Sequence, residues 1–170
     1  AHVVPEGHML PGASAYILYG GKTANEMVLE SDPAVFAQIK TAPGSWPNML
    51  YPSTDMGVIA KFRQLYREAE RRKQLETAYA QNPNGTRRPP QDPIHIAFFP
   101  VLDGATPLVF YADEALSLHR ILDLKQELGF SLVLAGLSES HYMVDALDDV
   151  EASLFLTLDL PDEPKRSADQ

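Results

Sequence analysis

Residues 107–137 read Pro107-Leu-Val-Phe-Tyr-Ala-Asp-Glu-Ala-Leu-Ser-Leu-His-Arg-Ile-Leu-Asp-Leu-Lys-Gln-Glu-Leu-Gly-Phe-Ser-Leu-Val-Leu-Ala-Gly-Leu137. The opening run, Pro107 to Ala112, is short, apolar and rich in strand formers. Asp113 has the chemistry of an N-cap, and Glu114 puts a carboxylate in the first turn, where the helix dipole favours it. Leu118, Ile121, Leu122, Lys125 and Leu128 then recur at helical spacing, and Gly129 supplies a left-handed stop. Ser131 to Ala135 reads as a second buried strand. Ser138 or Ser140 is expected to cap a short helix through Leu147, and Ala152 to Leu158 is expected as a third strand. Strands joined by single helices run parallel, and helices on their faces let them be continuously apolar. The fold class is therefore α/β, built from parallel βαβ units.

Upstream the pattern is less regular. Ala13 to Tyr19 is expected as a strand ending at Gly20-Gly21. Asp32-Pro33 before Ala34 to Lys40 predicts a helix, with an N-cap Asp and Pro at the first helical position. Ala42 to Pro52 holds three prolines and Trp46 and is read as loop. Thr54 or Asp55 opens the longest helix, near Met56 to Ala80, with an apolar stripe of Ile59, Phe62, Tyr66 and Ala69. Asn82 to Pro93 is a turn-rich exposed loop, and Ile94, Phe98, Val101 and Leu102 suggest a short apolar helix after it. Residues 1–160 form the domain, and 161–170 a polar tail.

Composition narrows the function. The 170 residues carry a net charge of −9, which argues against a nucleic-acid binder, because such a protein needs a basic face to displace phosphate counterions. No apolar run approaches the roughly 20 residues that cross a bilayer. With no cysteine there is neither a disulfide framework nor a thiolate metal site. The chain opens on Ala1 without Met and without a basic-then-apolar leader, and is read as a processed or truncated piece.

Motifs add little that is decisive. Gly21-Lys22-Thr23 resembles the end of a phosphate-binding loop, but the Gly required five positions earlier is Tyr16, so it is read as a turn. His2, His8, His95, His119 and His141 contain no His-x-His pair and no i, i+4 pair. His95 is read as a hydrogen-bonded packing residue and His119 as solvated. His141 follows the strand ending near Ala135, the end at which parallel α/β folds place ligands, and is a candidate ligand contact. Tyr111 and Asp113 sit at the same edge of the neighbouring strand and are candidates too, although capping alone accounts for Asp113. Asp145, Asp148, Asp149 and Glu151 are read as a solvated helix end, because no Gly-punctuated ligand spacing accompanies them. Asn84-Gly85-Thr86 fits a glycosylation acceptor but is first of all a turn. Arg71-Arg72-Lys73 and Arg87-Arg88 are too short to imply polyanion binding.

The segments 107–113, 128–136 and Ser140-His-Tyr-Met-Val-Asp-Ala-Leu147 together resemble the amidohydrolase superfamily, in its imidazolonepropionase-like branch, around the fifth and sixth barrel strands. Val3 to Gly12 and Tyr51 to Gln64 are similar to one subgroup of that branch, large secreted bacterial proteins with a degenerate domain beside a catalytic one. The resemblance implies part of a (β/α)8 TIM-type barrel, here with a long helical insertion. It implies zinc or another divalent ion in active members, held by a His-x-His and by further His, Lys or Glu, and Asp ligands at strand ends. The fifth-strand His falls on Tyr111, the sixth-strand His on Gly136, and the His-x-His is absent from this chain. A closed barrel takes about 250 residues, so the chain is expected to be the middle of one, completed by other segments of its parent or by a second copy. Secretion or a periplasmic location follows from the resemblance alone.

Three readings result. The first is a non-catalytic barrel segment without a metal of its own, with a structural or ligand-pocket role. The second is a part of an active metal-dependent hydrolase of non-peptide C–N or dipeptide-like bonds, to which Tyr111, Asp113 and His141 contribute pocket residues. The third is a stand-alone α/β small-molecule-binding domain.

Overall fold

A computed structural model describes residues 1–44, 50–85 and 87–156. Six strands make one curled sheet in chain order: β1 (His2–Val3), β2 (Gly12–Ile17), β3 (Val28–Gln38), β4 (Leu108–Ala112), β5 (Leu132–Gly136) and β6 (Ala152–Leu156). The pairs β1/β2 and β2/β3 are antiparallel, and β3/β4, β4/β5 and β5/β6 are parallel. A four-residue helix α1 (Ala24–Met27) sits in the β2–β3 turn. Between β3 and β4 come α2 (Asp55–Gln81), α3 (Pro93–Ala97) and α4 (Phe99–Leu102); α5 (Ala115–Leu128) links β4 to β5. A 3-10 turn (Ser140–Tyr142) and α6 (Val144–Asp148) link β5 to β6. The β-α-β-α-β order expected of the second half, and its parallel sense, are what the structure has.

The helix layer covers one sheet face. Leu108, Phe110 and Ala112 of β4, and Leu132 and Leu134 of β5, point into it. They meet Phe62, Tyr66 and Ala69 of α2 and Leu118, Ile121 and Leu124 of α5. Thr54 caps α2, its Oγ1 accepting from the Gly57 N–H at 3.1 Å. Phe62 lies at the centre of an aromatic cluster, 5.3 Å from Phe110, 6.0 Å from Phe98 and 6.1 Å from Phe130 between ring centroids. Gly129 ends α5 at φ +76°.

Three expectations are corrected. Ala34 to Lys40 is not a helix: residues 34–38 are the end of β3, with Ala34 to Ala37 buried between β2 and β4, and Ile39 and Lys40 follow the strand. The Asp-Pro signal marks a bulge instead. Asp32 turns to φ +60°, and the β2 register shifts between Ala13 and Ala15, so Pro33 sits where no ladder N–H is required. Asp113 does not cap α5: Glu114 occupies that position, and the Ala115 N–H donates to Glu139 Oε2 at 3.0 Å. Neither Ser138 nor Ser140 caps α6 through its side chain. Trp46, Thr86 and the expected tail at 161–170 lie outside the described residues, as do the last two positions of the expected strand to Leu158.

His95 is the packing residue expected. It is buried, with Nε2 3.2 Å from Glu68 Oε2 of α2; Nδ1 lies 3.0 Å from Asp92 Oδ2, outside hydrogen-bonding alignment. Hydrogen bonds lower both neighbouring carboxyls: from Gln64 and then His95 for Glu68, and from the Ile94 backbone N–H for Asp92, with the His95 charge adding to it. A folded-state pKa below the unfolded one stabilises the fold above the unfolded value, and that stabilisation is lost as pH falls through the folded pKa. The window therefore opens at the ordinary values of 4.5 for Glu68 and 3.8 for Asp92 and extends below them. Urea unfolding followed downward from pH 6 is expected to show a shallower acid loss in Asp92→Asn than in wild type; identical curves would remove the docking role from this pair.

Candidate functional site

The C-terminal ends of the parallel strands bring the candidate residues to one rim. Along β3 and β4, Ala34, Phe36 and Val109 lie on the face opposite the helices, with Val133 and Ala135 of β5 packed against them. Alternation along the strands places Gln38, Tyr111 and Asp113 on that same side. Tyr111 is 47% exposed. The in-register pairing of Ala112 with Gly136 sets the ends of β4 and β5 level.

Gly136 is the constraint at this rim. Its φ is +93°, and a Cβ there would stand 2.7 Å from Asp113 Oδ1 and 3.1 Å from the Tyr111 ring. No side chain fits without displacing both. Ser138 Oγ donates to Asp113 Oδ1 at 2.9 Å, and the Glu139 N–H donates to the Asp113 carbonyl oxygen at 2.9 Å. The strand ends are thus tied together through Asp113. The phenol's hydrogen bond to the Asp113 carboxylate, and then partial burial, raise the Tyr111 pKa above its ordinary value. The raised value favours the neutral phenol.

His141 stands apart. It is exposed in the 3-10 turn, its ring 4.0 Å from that of Tyr142, and it lines neither groove that reaches Tyr111. The structure therefore unites Tyr111 and Asp113 and leaves the third candidate outside. His119 is solvated as expected, with Nδ1 3.3 Å from Asp123. Among the described residues no group of three His, Asp or Glu side chains converges as metal ligands do.

Two connected grooves open at the rim. The first, about 470 Å³, lies between the loop of residues 4–11 and the sheet, with Phe36, Lys40 and Tyr111 among its lining. The second, about 390 Å³, shares Gln38, Lys40 and Tyr111 and runs past Asp113 to Asp55. Gln38 Nε2 holds the loop down by donating to the carbonyls of Gly7 at 2.6 Å and His8 at 2.8 Å. Sequence reasoning missed Gln38 and Lys40 because it placed both at the end of a helix; an extended reading of 34–40 would have put them at a strand end. A cleft of about 590 Å³ between α5 and α6 is remote from this rim, in the helix layer.

No protein-family model matches the chain, and no curated protein matches it. A solved structure does: an amidohydrolase from Thermotoga maritima MSB8, with TM-score 0.77 and 16% sequence identity. The fold is amidohydrolase-like. The match covers 92% of this chain and 41% of that one, so the chain spans about two-fifths of the length of the structure it matches. At this level of identity the likeness concerns the fold and carries no residue roles.

Substituting Gly136 tests the rim directly. Gly136→Ala is expected to cost about 1–3 kcal/mol from the backbone conformation alone, with the clash adding to it. Adding Tyr111→Ala is expected to recover part of the loss, as contacting sites do in a double-mutant cycle. Denaturant unfolding reads both, and strict additivity would mean that the ring does not press on Gly136.

Proposed function

We propose that this chain is a non-catalytic segment of an amidohydrolase-type (β/α)8 barrel, with a structural and ligand-pocket role in a larger protein. The supporting observation is the packing at Gly136. By resemblance, two metal-ligating imidazoles would project from the positions of Tyr111 and Gly136. In their place are a phenol whose pKa the neighbouring Asp113 carboxylate raises and a glycine whose Cβ space is already filled. A divalent ion needs several fixed N or O donors around one point to be held and to acidify its water. Asp113, at this rim, already accepts from Ser138 Oγ. These residues do not fit a metal.

The far edge supports completion by further polypeptide. Leu154, Phe155 and Leu156 of β6 are 44%, 58% and 62% exposed, although consecutive strand residues point to opposite faces. Both faces of β6 are thus apolar and uncovered among the described residues, whereas parallel sheets are covered on both. We take the missing cover to be a further parallel strand and its helix from the same protein. In the full-length protein Phe155→Lys is then expected to cost about 3 kcal/mol or more, as an unpaired buried charge does. An unchanged melting temperature would show the edge to be solvated.

The metal reading is tested with cobalt(II), whose d–d absorption reports bound ions. The full-length protein and its Asp113→Asn variant are expected to give the same spectrum on titration. A stoichiometric band present in wild type and missing in the variant would place a metal at this rim and overturn the non-catalytic reading.

A further inference from the structure

The groove under the 4–11 loop combines features that the strand-end packing does not use. Its lining includes Phe36 and the loop residues Val4, Pro5 and Pro11, and it carries two opposite charges, Glu6 and Lys40. Both charged residues are exposed, and neither has an ion-pair partner among the described residues, each other included. Two opposite charges lining one groove, unpaired with each other, complement a ligand that bears both signs. A monoanion would satisfy Lys40 and leave Glu6 desolvated without a partner, and a monocation would do the reverse; either omission costs binding energy. Tyr111 adds a polar contact. Half exposed in the groove lining, it offers a hydroxyl oxygen able to accept from an N–H. At about 470 Å³ the space lies toward the small end of the range for ligand pockets, roughly 300–1,000 Å³.

We propose that this groove binds a free α-amino acid with an apolar side chain, its carboxylate on Lys40, its ammonium between Glu6 and the Tyr111 hydroxyl, and its side chain against Phe36 and the loop prolines. The proposal names the ligand class for the pocket role inferred above and rests on that reading. Gln38 is a positioning residue: its amide holds the Gly7 and His8 carbonyls and so keeps the loop over the site.

Calorimetric titration of the full-length protein with phenylalanine, phenylacetate and phenethylamine tests the assignment. Phenylalanine is expected to bind saturably and at least about tenfold more tightly than either single-charge analogue. Lys40→Gln and Glu6→Gln, both at exposed positions, are each expected to weaken it about tenfold. Asp123→Asn, in the remote cleft, is expected to leave it unchanged. Absence of saturable phenylalanine binding, equal binding of phenylacetate or phenethylamine, or indifference to both groove substitutions would each overturn the proposal. An Asp113-dependent cobalt band with phenylalanine binding intact would overturn only the non-catalytic reading, so the two failures are distinguishable.

Discussion

The contact between Phe62 and the buried face of β4 is the one on which the arrangement depends. Phe62 projects from a helix inserted between β3 and β4, yet its ring meets Phe110 of β4, Phe130 just before β5 and Phe98 at the end of α3. One side chain therefore joins the insertion to β4 and to the residue leading into β5. Aromatic pairs of this geometry add about 0.5–1.5 kcal/mol each beyond the area they bury. Tyr66 and Ala69 extend the same contact, while the C-terminal half of α2 is largely charged and exposed and adds little to it. The salt bridges Arg63–Glu127 and Arg120–Asp55 connect α2 to α5 at exposed positions, where such pairs contribute about 0–1 kcal/mol. They set register around an interior that the aromatic rings hold together.

That interior makes the two sheet faces unequal. The helix side is sealed by large apolar residues that are almost wholly buried. The other side has a smaller cluster, Ala34, Phe36 and Val109, and a groove lined by Phe36 and residues of the 4–11 loop. Tyr111 alternates with Val109 onto this side, which explains how a residue inside an apolar strand remains half exposed. Chemistry collects where packing is incomplete: the phenol, Asp113, Gln38 and Lys40 all lie at the open face and its rim.

The parts legible in the sequence are those where several local signals agree. For β4–α5–β5, strand propensity, a 3.6-residue apolar period and a stop glycine point the same way, and the structure follows them. The helix α2 was equally legible from Thr54 and its stripe. Asp32-Pro33 was not, because that dipeptide suits both a helix start and a strand bulge; burial of Ala34 to Ala37 between two neighbouring strands decides between them, and single-chain periodicity contains no neighbours. Asp113 failed for a related reason. Its side chain has N-cap chemistry, but Glu139, 24 residues later than Ala115, reaches the same N–H. Tyr111 and Asp113 were named from position alone, whereas their contact with Gly136 depends on the register of β4 on β5.

The same register explains why the rim is better suited to holding shape than to holding an ion. Parallel pairing sets the last residues of β4 and β5 side by side, so whatever leaves one strand end must share space with the other. With imidazoles in both places, that proximity would suit a shared metal. With a ring in one place, the neighbour has to be small, and only glycine tolerates both the lack of room and a φ of +93°. The two positions are thus coupled: a side chain at 136 would press on the ring and on the Asp113 carboxylate. Asp113 in turn is held by Ser138 and by the Glu139 backbone. The result is a set of contacts spanning two strand ends, which leaves Lys40 and Glu6 as charged side chains of the adjoining groove without an ion-pair partner among the described residues.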